Sequence, residues 1–194
     1  IDNARLMIGR RYPKSVYNVG NITHPDGVRQ TPDTIVVTYE YEGKLTLVIE
    51  GTLWTPYMKK IPQSIRQSDK FPNWQFTSTK VEVFGSDRMM FYGRQGGGWV
   101  VYDESWEPVA AEYGRETTDE HLKNFFECVK TRKKPNLDIE DGHLDVVLCH
   151  LANIAMRTGR RLKFDTKTER FINDPEANTY LTKEYRKGYE LPTL

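Results

Sequence analysis

A glycine-rich segment flanked by an arginine and a tryptophan has the residue types that most directly suggest ligand chemistry. It runs from Gly93 to Gly98, with Arg94 inside it and Trp99 directly after it. A dinucleotide-binding loop needs G-x-G-x-x-G between a strand and a helix, whereas these glycines are spaced differently and the following WVVYDE predicts a strand. Two interpretations remain. The glycines form a tight turn or bulge, or they let the backbone approach a ligand closely. In the second case Arg94 would bind a sugar by hydrogen bonds and Trp99 would bind it through its apolar ring face.

Two histidines, His143 and His150, fall on one predicted helix, seven positions apart. That spacing is two turns, which is too far for both to bind one metal ion. His143 is the better binding candidate because it lies in the first turns, where a helix can face a cleft, although packing on the helix surface is the alternative. The only cysteines, Cys128 and Cys149, are predicted to be buried free thiols, so we expect no metal site and no disulfide framework.

The composition predicts one globular domain covering residues 1–194, with 38% apolar and 28% charged residues. Lysine and arginine number 28 against 27 acidic residues, for a net charge of +1. This balance gives no electrostatic reason to expect nucleic acid or a membrane surface as a partner. No apolar run is long enough to cross a bilayer.

The first part of the chain is predicted to be rich in strands. Residues 1–8 read as a helix ended by Gly9, and residues 34–41 and 45–53 as an antiparallel hairpin joined by a tight connection. A long loop over residues 54–74 precedes further strands at 76–84, 89–92, 99–102 and 109–112. Residues 161–164 are predicted to form an edge strand later in the chain.

Helical periodicity begins after Gly114. One helix carries an apolar stripe from Leu122 to Val129, with a capping box of Thr117 and Glu120, and a longer one carries a stripe from Leu144 to Ala155. A short helix opens at Pro175 after an Asp174 cap. Strands followed by helices predict an α+β fold, with an open, predominantly antiparallel sheet and helices packed on one face.

Several longer motifs resemble those of a known family. They are TKVEVFGSDRMMFYGRQGGGWVVYDE, PNLDIEDGH, LCHLANIA, TERFINDPEAN and YRKGYELP, and with them the resemblance covers residues 12–192. The chain resembles the carboxy-terminal domain of the Gfo/Idh/MocA oxidoreductases, which act on sugars and polyols with a nicotinamide cofactor. Ser86 and Arg88 stand where the family usually has Thr and Gly, so the turn there is expected to differ.

The resemblance implies that catalysis and substrate binding are divided between two parts of the parent enzyme. Its catalysis depends on a Rossmann domain for NAD or NADP, a lysine in an E-K-P motif, and a D-x-x-x-H motif, none of which is in this sequence. Ile1-Asp2 resembles the pair that follows the catalytic histidine, so the sequence is expected to start just after it. We therefore predict no catalytic or cofactor-binding residue in this chain. Trp54 and Tyr57 match the region where relatives place sugar-contacting aromatics, although simple packing of Trp54 is equally open.

These observations predict the substrate-pocket and oligomerisation domain of an NAD(P)-dependent sugar or polyol oxidoreductase, inactive by itself. The alternatives are an NAD-dependent glycoside-cleaving relative and a non-enzymatic ligand-binding or assembly module. The expected partners are a small sugar or polyol and a second copy of the chain. A homodimer or homotetramer would form through the open sheet face, because Val36 and Val48 lie on the face opposite the strongly apolar one. Localisation stays open between the cytoplasm, which is favoured, and export.

Overall fold

The computed structural model describes residues 1–9, 11–23, 28–29, 31–53, 55–94 and 96–190. The chain divides into two compact units, of which unit 1 comprises Ile1–Trp54 with Glu140–Leu194 and unit 2 comprises Thr55–Ile139. Each unit is described by itself. The single domain predicted for residues 1–194 stays a prediction.

Among the described residues, seven strands precede the two long helices, two short helices lie among or before these strands, and two further strands follow the long helices. The strands are β1 (Ser15–Asn21), β2 (Thr34–Glu40), β3 (Thr46–Thr52), β4 (Lys80–Phe84), β5 (Met89–Gly93), β6 (Trp99–Tyr102), β7 (Pro108–Glu112), β8 (Leu162–Asp165) and β9 (Arg170–Phe171). The helices are α1 (Asp2–Ile8), α2 (Gln63–Arg66), α3 (Thr118–Thr131), α4 (Ile139–Thr158) and α5 (Pro175–Thr179).

Unit 1 contains a five-stranded antiparallel sheet in the order β3-β2-β1-β8-β9. The predicted hairpin is confirmed, since β2 pairs with β3 over their whole length. The prediction for residues 161–164 was wrong in one respect. That strand, β8, is not at an edge, because β9 pairs with its outer side. β9 is only two residues long, too short to produce a periodic signal in the sequence.

Alternate residues of the hairpin point to opposite faces of this sheet, as predicted. Val37 and Tyr39 are 1% and 0% exposed, whereas Val36 and Val48 are 45% and 49% exposed. The buried face joins the apolar stripe of α4, including Leu148, in one hydrophobic core. Helix packing on one face of the sheet is therefore confirmed for this unit.

Unit 2 contains a second antiparallel sheet, in the order β4-β5-β6-β7. The strand predicted from residue 76 begins only at Lys80, because Trp74–Phe76 form a 3₁₀ turn instead. The α+β class and the open, antiparallel character are confirmed, although the strands are divided between two sheets.

Two smaller predictions were wrong. Thr117 is the residue before α3, but its side chain makes no capping hydrogen bond, so the capping box does not form. Both cysteines are free, yet Cys128 is half-buried and Cys149 is exposed, because Cys149 lies off the buried stripe of α4. Among the residues that the structure describes, none of the helices has the length and apolar character needed to cross a bilayer.

Candidate functional site

A small cavity in unit 2 gathers basic side chains from separate segments. Lys60, Ile61, Arg66, Thr79 and Arg94 line it, and its volume is about 90 Å³. Ile61 is buried and forms an apolar part of the wall, whereas Lys60, Thr79 and Arg94 are exposed at the surface. The cavity therefore combines one apolar wall with three cationic side chains, which suits a polar or charged ligand group.

Backbone pairing brings the first of these segments to the cavity. Lys59 forms a bridge with Thr77, in which its amide donates to the carbonyl of Phe76 and its carbonyl accepts from the amide of Ser78, each at 2.8 Å. The residues that follow these pairing segments, Lys60 and Thr79, both line the cavity. The bridge thus positions a part of the predicted long loop that had no periodic signal in the sequence.

The glycine segment supplies Arg94 from the other side. The amide of Gly93 donates to the carbonyl of Gly98 at 2.9 Å, which closes a turn between β5 and β6. A Cβ on Gly97 would lie 2.5 Å from Cδ1 of Ile61, and one on Gly98, whose φ is +68°, would lie 2.3 Å from the Glu112 carbonyl oxygen. These glycines are needed because the backbone packs against the protein's own atoms. The tight-turn interpretation is therefore supported; Gln95 lies outside the described residues.

The three cations of the cavity differ in how they are held. Nε of Arg66 donates to the Ile61 carbonyl at 2.8 Å, and its Nη1 lies 3.9 Å from Oε1 of Glu116. Its side chain is mostly buried. Lys60 and Arg94 form no hydrogen bond or ion pair with any other residue in the described ranges. Arg66 is therefore fixed by the fold, whereas Lys60 and Arg94 are available to a ligand.

The other sugar-binding candidates of unit 2 do not line this cavity. Trp99 pairs with Tyr92 and Glu112, and its neighbour Val100 is buried, so alternation places Trp99 on the opposite face of the sheet. Tyr57 lies in a turn and is 64% exposed. Trp54 lies outside the described residues. Substrate binding by these residues stays a prediction.

An aromatic cluster that the sequence did not single out packs beside the glycine turn. The rings of Trp74 and Phe91 stack at 5.6 Å with an interplanar angle of 8°, and Phe71 contacts Tyr113 at 4.6 Å. A Cβ on Gly97 would come within 3.6 Å of the Trp74 ring. The cluster supports the turn that carries Arg94. Its members are far apart in sequence, so no local pattern identified it.

His143, the remaining candidate, lies in unit 1 within a polar network. Its Nε2 is 2.9 Å and 3.1 Å from the two carboxylate oxygens of Glu169, and the Tyr12 hydroxyl donates to Oε1 of Glu169 at 2.5 Å. The Tyr12 hydrogen bond, with a smaller effect of His143, lowers the pKa of Glu169. Burial, followed by the contact with Glu169, raises the pKa of Tyr12 to about 12. The sequence analysis did not identify Tyr12 or Glu169.

The described residues offer no evident metal site. They contain no group of three or more His, Cys, Asp or Glu side chains that could hold a metal ion. The glycine turn joins two antiparallel strands, so a dinucleotide phosphate placed there would not meet a helix amino terminus. This turn therefore does not fit a nicotinamide dinucleotide.

Residues 109–191 match the family model described as "Oxidoreductase family, C-terminal alpha/beta domain". The fold is also similar to those of many solved structures, including the following three. An oxidoreductase from Agrobacterium radiobacter in complex with NAD+, L-tartaric acid and magnesium has a TM-score of 0.57 and 13% identity, and the match covers 84% of this chain and 46% of that one. A Klebsiella pneumoniae protein with an oxidoreductase assignment has a TM-score of 0.56 and 15% identity, with 93% of this chain and 50% of that one covered. The aldose-aldose oxidoreductase from Caulobacter crescentus complexed with glycerol has a TM-score of 0.50 and 18% identity, with 84% of this chain and 44% of that one covered. The chain spans half or less of the length of these proteins. No curated protein matches it.

The open antiparallel sheets and the helices define an α+β fold, and residues 109–191 of it match the model of an oxidoreductase-family domain. The matched segment, residues 109–191, is similar to the carboxy-terminal domain of the Gfo/Idh/MocA oxidoreductases. The resemblance found in the sequence motifs is thereby confirmed.

Proposed function

We propose that this chain is the substrate-pocket and assembly domain of an NAD(P)-dependent oxidoreductase that acts on a CH–OH group of a sugar or polyol. The family match over residues 109–191 carries the proposal. It is supported by two proteins of similar fold, one crystallised with NAD+ and the other with glycerol. The nicotinamide would supply the hydride acceptor from the rest of the parent enzyme.

The residues of this chain would bind and orient the substrate. Arg94 has several N–H donors in a rigid plane, which can each bond a hydroxyl oxygen, and Lys60 adds donors across the cavity. The exposed ring of Tyr57 and the half-buried ring of Trp99 offer apolar faces of the kind that sugars stack on. The contribution of such residues is to hold the reacting carbon in place rather than to move its proton.

The second part of the proposal is self-association through the sheet of unit 1. Its open face presents Tyr17, Val19, Val36 and Val48, each between 40% and 50% exposed. Val19 lies opposite Val36 in the β1–β2 pairing, so the apolar residues are contiguous. A two-fold contact between two copies of this face would bury them together, and we propose a homodimer or a homotetramer.

The test is made on the full-length protein encoded by the gene. The purified protein is titrated with NAD+ and NADP+, then incubated with a panel of sugars and polyols while formation of reduced cofactor is followed. Saturable cofactor binding and substrate-dependent reduction would support the proposal. Absence of both would contradict it. Cleavage of a glycoside that requires NAD+ but leaves no net reduced cofactor would instead identify a glycoside-cleaving enzyme.

A further inference from the structure

We infer that the cavity of unit 2 binds an oxyanion, the carboxylate or phosphate of an acidic sugar. That the anion is carried by a sugar rests on the proposed function. The binding of an oxyanion depends only on the cavity lined by Lys60, Arg66 and Arg94.

The charge balance of the lining favours an anion over a neutral ligand. Three cationic side chains line the cavity. Within the described part of the chain, one acidic residue lies in ion-pair range of them, namely Glu116, whose Oε1 is 3.9 Å from Nη1 of Arg66. That pair leaves Lys60 and Arg94 without a countercharge among the described residues. A bound oxyanion would neutralise one of these charges and lower their mutual repulsion.

The size and composition of the cavity favour a single small group. A volume of about 90 Å³ is well below the roughly 300–1,000 Å³ of pockets that enclose a whole small molecule. Arg94 can bond two oxygens of one oxyanion side by side, and the Thr79 hydroxyl can donate to a third position. The anionic group would therefore enter the cavity, while the rest of the ligand lies outside it.

The packing of the site keeps its geometry constant. Arg66 is held by the Ile61 carbonyl, and Gly97 packs closely against the Ile61 side chain. The apolar wall formed by Ile61 also limits the water that could screen the interaction, which strengthens it. Lys60 and Arg94 need only reorient their exposed ends to meet the ligand.

The experiment uses the 194-residue chain and isothermal titration calorimetry at constant ionic strength. The probes are D-glucuronate, neutral D-glucose and inorganic phosphate. The variants are Arg94→Ala, Lys60→Ala and Arg94→Lys, which retains the charge. Arg88→Ala is the matched control, because Arg88 is also an exposed arginine of unit 2 but does not line the cavity. Thermal unfolding verifies that each variant is folded.

We expect glucuronate to bind more tightly than glucose, and affinity to fall with added salt. Arg94→Ala and Lys60→Ala should each weaken glucuronate binding by about tenfold, Arg94→Lys by less, and Arg88→Ala should have no effect. Tighter binding of phosphate than of glucuronate would support the oxyanion site and indicate a sugar phosphate as the source. Equal binding of glucose and glucuronate, no binding of either anion, or an equal loss in Arg88→Ala would overturn the inference. These binding measurements need no cofactor. A full-length protein without redox activity would therefore contradict the proposed function but not the oxyanion site.

Discussion

Tyr39 in β2 donates its hydroxyl hydrogen bond to the backbone carbonyl of Leu148 in α4, with a distance of 2.7 Å between the two oxygens. Tyr39 is fully buried, and this burial raises the pKa of its hydroxyl. A second bond runs in parallel, from Nδ2 of Asn18 to the Ala152 carbonyl at 2.9 Å. The two bonds attach neighbouring strands to successive turns of the same helix and fix the helix on the sheet of unit 1.

Replacing Tyr39 with Phe should therefore destabilise unit 1. The variant keeps the ring and the packing but loses the hydrogen bond, so the free energy of unfolding should fall by about 1–2 kcal/mol. Urea denaturation followed by circular dichroism measures it. Tyr17→Phe, at an exposed position of the adjacent strand, is the control and should change little. Equal effects of the two substitutions would show that the Tyr39 bond contributes nothing specific.

Two glycine-to-alanine substitutions should have opposite effects on stability. Gly98 has a φ of +68° and no room for a Cβ, so Gly98→Ala should destabilise unit 2 and disturb the turn that carries Arg94. Gly142 lies inside α4 with open space around its Cα, so Gly142→Ala should stabilise the helix by about 0.5–1 kcal/mol. Thermal unfolding of the two variants checks the signs. A stabilising Gly98→Ala would contradict the structure of the turn.

The Glu169 carboxylate should make unit 1 sensitive to acid. Its pKa in the folded protein lies below the ordinary value of 4.5, chiefly because of the Tyr12 hydrogen bond and secondarily because of His143. The unfolded chain consequently binds the proton more tightly, so this stabilisation is present above about pH 4.5 and is lost as the pH falls through the folded-state pKa. Glu169→Gln should unfold with a weaker pH dependence between neutral and acidic buffer than the unaltered chain.

The control for this experiment is Glu184→Gln, at an exposed position with no bonded partner in the described ranges. Urea unfolding is measured for all three proteins across the acidic range. Glu184→Gln should follow the unaltered chain at every pH. Parallel pH profiles for Glu169→Gln and the unaltered chain would mean that the network with Tyr12 and His143 does not couple to folding.

The proposed association through the open sheet face predicts a specific molecular mass. Light scattering of the unaltered chain should give a multiple of 22.6 kDa. Val36→Lys or Val48→Lys should shift the protein to monomer, because each would place a buried charge in the contact. Val109→Lys, at an exposed position of β7, is the control and should leave the mass unchanged. A monomer for the unaltered chain would refute the proposed interface.

The proposed substrate contacts of Arg94, Trp99 and Trp54 should be visible in the kinetics of the full-length protein. Alanine at each position should mainly raise the KM, because such contacts bind the ground state and the transition state alike. The expected change for one lost contact is about tenfold or less. Variants that unfold at markedly lower temperature with unchanged kinetics would identify these residues as packing residues instead.

Local periodicity determined the elements of this protein that bury one continuous face. The alternation in β2 and β3 specified both their pairing and the face that carries Val37 and Tyr39. The apolar stripe of α4 was predicted from the sequence in the same way. Asp174 caps α5, as its sequence signature predicts, because its carboxylate accepts a hydrogen bond from the Ala177 amide at 3.0 Å. These features follow from neighbours within a few positions, where backbone geometry dictates which side chains share a face.

Only the tertiary structure decided which distant residues meet. Tyr12 and Glu169 are 157 positions apart, and the pairing of β8 between β1 and β9 brings them into contact. Likewise, Lys60 comes from a segment without periodic pattern, and it joins Arg94 because a backbone bridge at Lys59 and a glycine turn bring both to one cavity. A periodic pattern records which face of an element is apolar. It does not record which segment will cover or adjoin that face, since that depends on the packing of the whole chain.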